Sequence, residues 1–271
     1  MPWRVLTRAG AAALVAGLCV SESQLVATAQ GGGPAPGTSP AYRVPRTADG
    51  QPDLQGLWQV MNTAVWDLQD HAAQLGMPAG QGVVEGNEIP YLPSALAKRE
   101  ENYRNRLTED PEARCYMVGV PRITYMPYPF QIVQAPKQVT ILYEYVHTFR
   151  NIYIDSPHVK GPIEWWMGDS RGRWEGDTLV VDVVYFTDKT RLDRSGNYHS
   201  SDLHVVERYT RTGPDHIMYE ATIEDPNVFS RPWKMSMMLY RRVETNARLL
   251  EYECYADAET AVDARRSTDA R

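Results

Sequence analysis

The chain has 271 residues, with 28 Lys and Arg against 34 Asp and Glu, for a formal net charge of -6. That acidic balance, with no basic stripe carrying interleaved aromatics, argues against a nucleic-acid partner. Hydrophobic residues make up 43% and charged residues 23%, the proportions of a globular protein and not of a disordered one.

Residues 1–29 read as a cleavable secretion signal. Arg4 and Arg8 supply a positive start, Ala9 to Val20 an apolar run, and Ala27-Thr28-Ala29 the small-x-small pattern that signal peptidase reads. The run is shorter than the roughly 20 apolar residues that span a bilayer. No later run is long enough to serve as a membrane anchor. Cys19 follows Leu18, where a lipid-attachment signal wants Gly, Ala or Ser. The expected location is periplasmic or extracellular, and removal of the signal leaves about 240 residues, one large domain or two small ones.

Residues 30–46 are rich in Gly, Pro and Ser and read as a flexible leader. Residues 47–122 read as an N-terminal extension. Its Thr47 to Asp53 stretch is turn chemistry ahead of Leu57-Trp58, and residues 61–92 show no sustained period. Ser94 to Leu107 has helix-forming composition, with Ser94 as a candidate N-cap and Pro111 beyond its end. Residues 123–257 change character. Phe130 to Ala135, Gln138 to Phe149, Arg150 to Ile154, Thr178 to Phe186, Leu203 to Arg211, Ile217 to Ile223, Met235 to Arg242 and Leu249 to Tyr255 read as strands. About eight strands joined mostly by short turns, with no helices between them, predict an all-β antiparallel barrel or sandwich. Residues 258–271 form a polar tail.

Two cysteines, Cys115 and Cys254, remain after the signal. In an oxidising compartment they form a candidate disulfide, the alternative being two separate buried thiols. The 16 Tyr and 7 Trp against 4 Phe suit either a β-rich fold or a pocket for carbohydrate or aromatic ligands.

No nucleophile elbow, zinc-protease helix, phosphate loop or Cys/His zinc spacing is present, so neither a metal nor another cofactor is expected. Candidate chemistry rests on polar residues that break apolar strand faces. His147 is in phase with Val139, Ile141, Tyr143 and Tyr145, which makes it either a general acid–base or a buried imidazole held by a hydrogen bond. Glu207 is in phase with Val205 and Tyr209. It pairs with an Arg, such as Arg150 or Arg122, or stays partly neutral as a proton donor. Asp182 interrupts the run Leu179 to Val184. Arg150 and Tyr143 are candidates to stabilise a developing oxyanion.

The loop from Thr187 to Asp202 has the length of a lid or binding loop, and Arg191 and His199 are its candidate ligand contacts. Trp165 and Trp166 suggest a stacking platform at a pocket mouth or a simple cap of a barrel end, with Tyr145 as a further candidate contact.

Several segments resemble one family of secreted bacterial proteins. They include Thr47-Ala48-Asp49-Gly50 with Pro52-Asp53-Leu54, Glu112-Ala113-Arg114-Cys115, and Met126-Pro127-Tyr128-Pro129-Phe130. Gly172 to Asp182, Leu203 to Arg208, and Asp225-Pro226 with Pro232-Trp233 continue the likeness over most of the mature chain. The family's usual Pro-Pro-Gly turn is here Met117-Val118-Gly119, and its usual Asp-Gly-Arg turn is Asp155-Ser156-Pro157. The resemblance implies secretion and a lipocalin-like barrel, and it implies no chemistry.

Three functions follow as expectations. One is cofactor-independent acid–base catalysis of the lyase, isomerase, cyclase or hydrolase kind on a small, partly apolar molecule. The second is lipocalin-like binding of a hydrophobic or aromatic ligand. The third is an envelope interaction module without a cavity. A filled barrel core would favour the third, and a cavity holding His147 and a carboxylate the first.

Overall fold

The computed structural model describes residues 42–161 and 163–254. The expected signal, leader and polar tail lie outside them, apart from the leader's last residues. Nine strands form a closed barrel. They are β1 (Gly56–Val60), β2 (Phe130–Ala135), β3 (Gln138–Tyr143), β4 (Phe149–Ile154), β5 (Asp169–Glu175), β6 (Thr178–Val184), β7 (His204–Gly213), β8 (His216–Glu224) and β9 (Trp233–Arg241). Each strand pairs with the next, and β1 closes the ring antiparallel to β9.

The odd strand count has a consequence. Nine strands that alternated throughout would leave β1 and β9 parallel. One parallel neighbour pair restores the antiparallel closure, and that pair is β4 with β5. Parallel neighbours need a crossover connection. Residues 155–168 supply it.

Side chains alternate along the strands, as a barrel with a dry interior requires. Val205, Glu207 and Tyr209 of β7 point inward, as do Ile217, Tyr219, Ala221 and Ile223 of β8 and Met235, Met237 and Leu239 of β9. Trp58 and Phe130 add large rings, each essentially without solvent contact. Gly172 on β5 has no room for more: a Cβ there would lie 2.7 Å from Ile154 Cδ1 and 2.8 Å from Ile152 Cγ2. The interior is a packed core.

Four stretches differ from the sequence-based expectation. β1 lies inside the stretch read as an extension, and β5 lies between Ile154 and Thr178, where no strand was expected. The inward positions of β5 include Ser170 and Gly172, so it carries no apolar alternation to read. Residues Gln138 to Phe149 are not one strand. The chain must reverse between β3 and β4, and it does so through a 3-10 turn at Tyr145–His147. Residues 249–253 are not a strand either, because β1 already occupies the edge of β9. They form a strap whose amides bond side chains: Leu250 N donates to Glu144 Oε2 at 2.8 Å, and Tyr252 N to His147 Nε2 at 2.9 Å.

The helix expected at Ser94 to Leu107 is present as α1 (Pro93–Arg104) followed by α2 (Arg106–Glu109). Proline at the first turn replaces the serine cap, since its missing N–H has no helical partner there anyway. Cys115 and Cys254 are joined, with Cα atoms 5.6 Å apart. The bond spans 139 residues, for which chain-entropy reasoning gives roughly 5 kcal/mol of stabilisation. It ties the strap to the segment that precedes the barrel's second strand.

Candidate functional site

Inside the barrel lies an ionic pair. The Arg150 guanidinium from β4 grips the Glu207 carboxylate from β7 with both Nη atoms, and both side chains are buried. Tyr209 OH and Tyr219 OH donate to Glu207 Oε1 at 3.0 and 2.9 Å, and Arg150 Nε donates to Ser170 Oγ at 2.8 Å. Glu207 thus takes the Arg partner that its phase on an apolar face demanded. Tyr143 sits beside the pair with its hydroxyl buried and without a hydrogen bond among the described residues. Burial pushes that hydroxyl up to about 12, with Arg150 working against it. Arg150, Glu207 and Tyr143 are therefore brought together, but inside a filled core.

His147 and Asp182 do not join them. Asp182 points outward from β6, where His158 Nε2 and His204 Nε2 each lie 2.8 Å from one of its oxygens. His158 Nδ1 meets Asp169 Oδ2 at 2.7 Å, and Arg171 grips Asp169 in turn. A row of Arg171, Asp169, His158, Asp182 and His204 therefore fastens the crossover to the outer wall. Partial burial opposes ionisation of Asp182, but the hydrogen bonds of His204 and His158 outweigh it and hold its carboxyl below the usual range. Asp169 is held down in the same way, chiefly by Arg171. A cleft of about 370 Å³ runs beside this row. Sequence spacing gives His158 and His204 no close chelating or catalytic partner, because their carboxylate partners lie elsewhere in the chain.

The long loop of residues 187–202 is buried and not a lid. His199 donates from Nδ1 to the Ser200 carbonyl at 2.8 Å and accepts from the Thr190 hydroxyl at 2.7 Å. Burial pushes its pKa down. Arg191 reaches the Asn102 carbonyl at the end of α1, at 3.4 Å. Asp193 is buried beside Asp67 and accepts from Leu68 N, Asn197 N and Asn197 Nδ2. Burial first, and then the neighbouring Asp67 charge, raise the Asp193 pKa to about 7. The loop's polar groups face one another and the segment 62–107, and neither Arg191 nor His199 lines an open pocket.

A different set of residues opens to solvent beside the disulfide. A groove of about 480 Å³ is lined by Cys115, Tyr116, Met117, Val146, His147, Thr148, Phe149 and Trp166. Phe149 is 61% exposed and Tyr116 45% exposed. The Trp166 ring meets the Tyr116 ring edge-on at 5.5 Å. Trp165 turns the other way, against Tyr185 at 6.2 Å. The adjacent tryptophans are thus not one platform; only Trp166 belongs to the groove. Tyr145 is buried behind it, with its hydroxyl on the Tyr116 carbonyl at 3.0 Å and its ring against Tyr128 and Tyr252.

The backbone of this groove is strained. Cys115, Val146 and His147 all adopt left-handed conformations, with φ of 57°, 47° and 49°. Such a conformation costs an L-residue about 1–2 kcal/mol, and for a β-branched residue such as Val146 it is an outlier. Strained residues concentrate at binding and catalytic sites when surrounding structure holds them. Here the disulfide holds Cys115, and the Tyr252 amide holds His147.

Comparison with protein-family models and with curated proteins returns no match for the chain.

Proposed function

We propose that this is an exported binding protein whose site is the groove beside the disulfide, and that it takes a flat, largely apolar group. One observation carries this reading: three aromatic or apolar walls, Tyr116, Phe149 and Trp166, remain open to solvent on a backbone with three left-handed residues. Exposed rings on a strained loop gain nothing in stability for the free protein. A ligand ring stacked between them gains both apolar burial and ring–ring contact.

Catalysis by cofactor-independent acid–base chemistry has less support. A general base needs a lone pair or carboxyl facing a cavity. Glu207 is sealed by four donor contacts, and both ring nitrogens of His158 face carboxylates. The packed core speaks against lipocalin-like binding inside the barrel and leaves the envelope module standing, but that reading gives no account of the aromatic groove beside the disulfide. The groove retains the small-molecule partner of the lipocalin-like hypothesis and moves it to the outside.

The test is binding of naphthalene to the oxidised protein, followed by calorimetry. Trp166→Ala and Phe149→Ala are expected to weaken binding about tenfold each, since a lost ring contact is worth on the order of 1 kcal/mol or more. Unchanged affinity in both variants would refute the groove.

A further inference from the structure

Several polar groups line the groove, among them the Tyr116 and Thr148 hydroxyls and the Trp166 indole N–H, and the one whose orientation the strap fixes is His147. The Tyr252 amide N–H points at His147 Nε2 at 2.9 Å, so that nitrogen carries the lone pair. In the neutral ring the proton is then on Nδ1. Nδ1 has no hydrogen-bond acceptor among the described residues; the Glu253 carboxylate is the nearest charge, at 3.6 Å. The ring is 45% exposed, and its position lines the groove. The site therefore presents largely aromatic walls and, among its donors, a His147 N–H set by the strap.

We infer, on the reading of the groove given above, that its ligand is an aromatic ring bearing an uncharged hydrogen-bond acceptor, such as an aryl ketone or amide carbonyl, received by His147 Nδ1–H. A bare hydrocarbon leaves the donor unused. An aromatic carboxylate could use it but would be set beside Glu253, where like charges repel. His147 is in this sense a specificity-determining residue. Its tautomer is set from behind by the strap that Cys254 anchors to Cys115.

The experiment compares three probes of one shape by calorimetry: naphthalene, 2-acetylnaphthalene and 2-naphthoate. The expected order is 2-acetylnaphthalene tightest, by about tenfold over naphthalene, the usual worth of one hydrogen bond in a partly exposed site. The naphthoate is expected to bind no tighter than naphthalene. His147→Met separates the donor from the strap, because it removes the side-chain N–H and leaves a thioether, a weak acceptor, for Tyr252 N. In that variant the advantage of 2-acetylnaphthalene over naphthalene is expected to vanish. Hydrogen exchange at the Tyr252 amide reports whether the strap is intact in the variant.

A tenfold advantage that survives His147→Met, or a naphthoate that binds tightest, overturns the donor assignment and leaves the groove standing. Naphthalene binding that ignores Trp166→Ala overturns the groove and the inference with it.

Discussion

At the scale of single residues, the buried Arg150–Glu207 pair is the most consequential for stability. Its desolvation is costly, and what makes it tolerable is that Glu207 takes four donor contacts. Glu207→Leu would strand the Arg150 cation in the core and is expected to cost about 3–5 kcal/mol in chemical denaturation. Arg150→Met combined with Glu207→Leu is expected to recover most of that loss, since a packed apolar pair can replace a buried ionic one. A double variant as unstable as the single would mean that the pair does more than satisfy itself. Glu207 was legible in the sequence, because a carboxylate in phase with Val205 and Tyr209 must find a cation. His147 was not. The alternation that placed it on a strand face stops at Tyr143, and Val146 and His147 turn left-handed where the chain reverses. No residue in that run is a glycine or proline to announce the turn.

At the scale of elements, the crossover of residues 155–168 is the feature the barrel's parity demands and the sequence pattern hides. Its backbone joins the sheet at Trp165, which bonds the Tyr185 carbonyl and the Thr187 amide, and side chains fasten its first half. His158 bridges Asp169 and Asp182, and Val159 N adds a bond to Asp169 Oδ2 at 3.2 Å. His158→Ala is expected to speed hydrogen exchange at Val159 and its neighbours by tenfold or more, while amides of β7 and β8 keep their protection. Equal loss of protection across the barrel would show that the crossover and the sheet open as one unit. The strands themselves were read from β-branched and aromatic runs wherever both faces carried a signal, as in β6, β7 and β8. β1 is only five residues long, and inward Ser170 and Gly172 blank the pattern of β5. Asp182 was singled out as a break in an apolar run, but its outward direction was not read, and its histidine partners come from a crossover and a neighbouring strand that only the fold brings near.

At the scale of the molecule, a filled barrel is closed at its periphery by buried polar contacts and a disulfide, and these set its response to pH. Asp193 has a folded-state pKa raised to about 7, above the ordinary carboxyl value of about 3.9. Between those values the folded state holds a proton that the unfolded state has lost. That contribution to stability is full below about pH 4 and is lost as pH rises through about 7. Asp67→Asn removes the like charge and is expected to flatten this part of the profile, read as the difference in Tm between pH 5 and pH 8. An undiminished difference would assign the slope to other groups. Asp169 and Asp182 act in the opposite sense, with depressed carboxyls whose stabilisation is present above the ordinary carboxyl range and fades in acid.

The groove beside the disulfide is the site on which the functional reading stands, and the barrel interior is its direct rival. Amide and methyl chemical-shift mapping during a naphthalene titration separates the two in one experiment. The prediction is that shifts cluster on Tyr116, Met117, Val146 to Phe149 and Trp166, at the groove. Shifts centred instead on Ile141, Val181 and Tyr209, within the barrel, would contradict it.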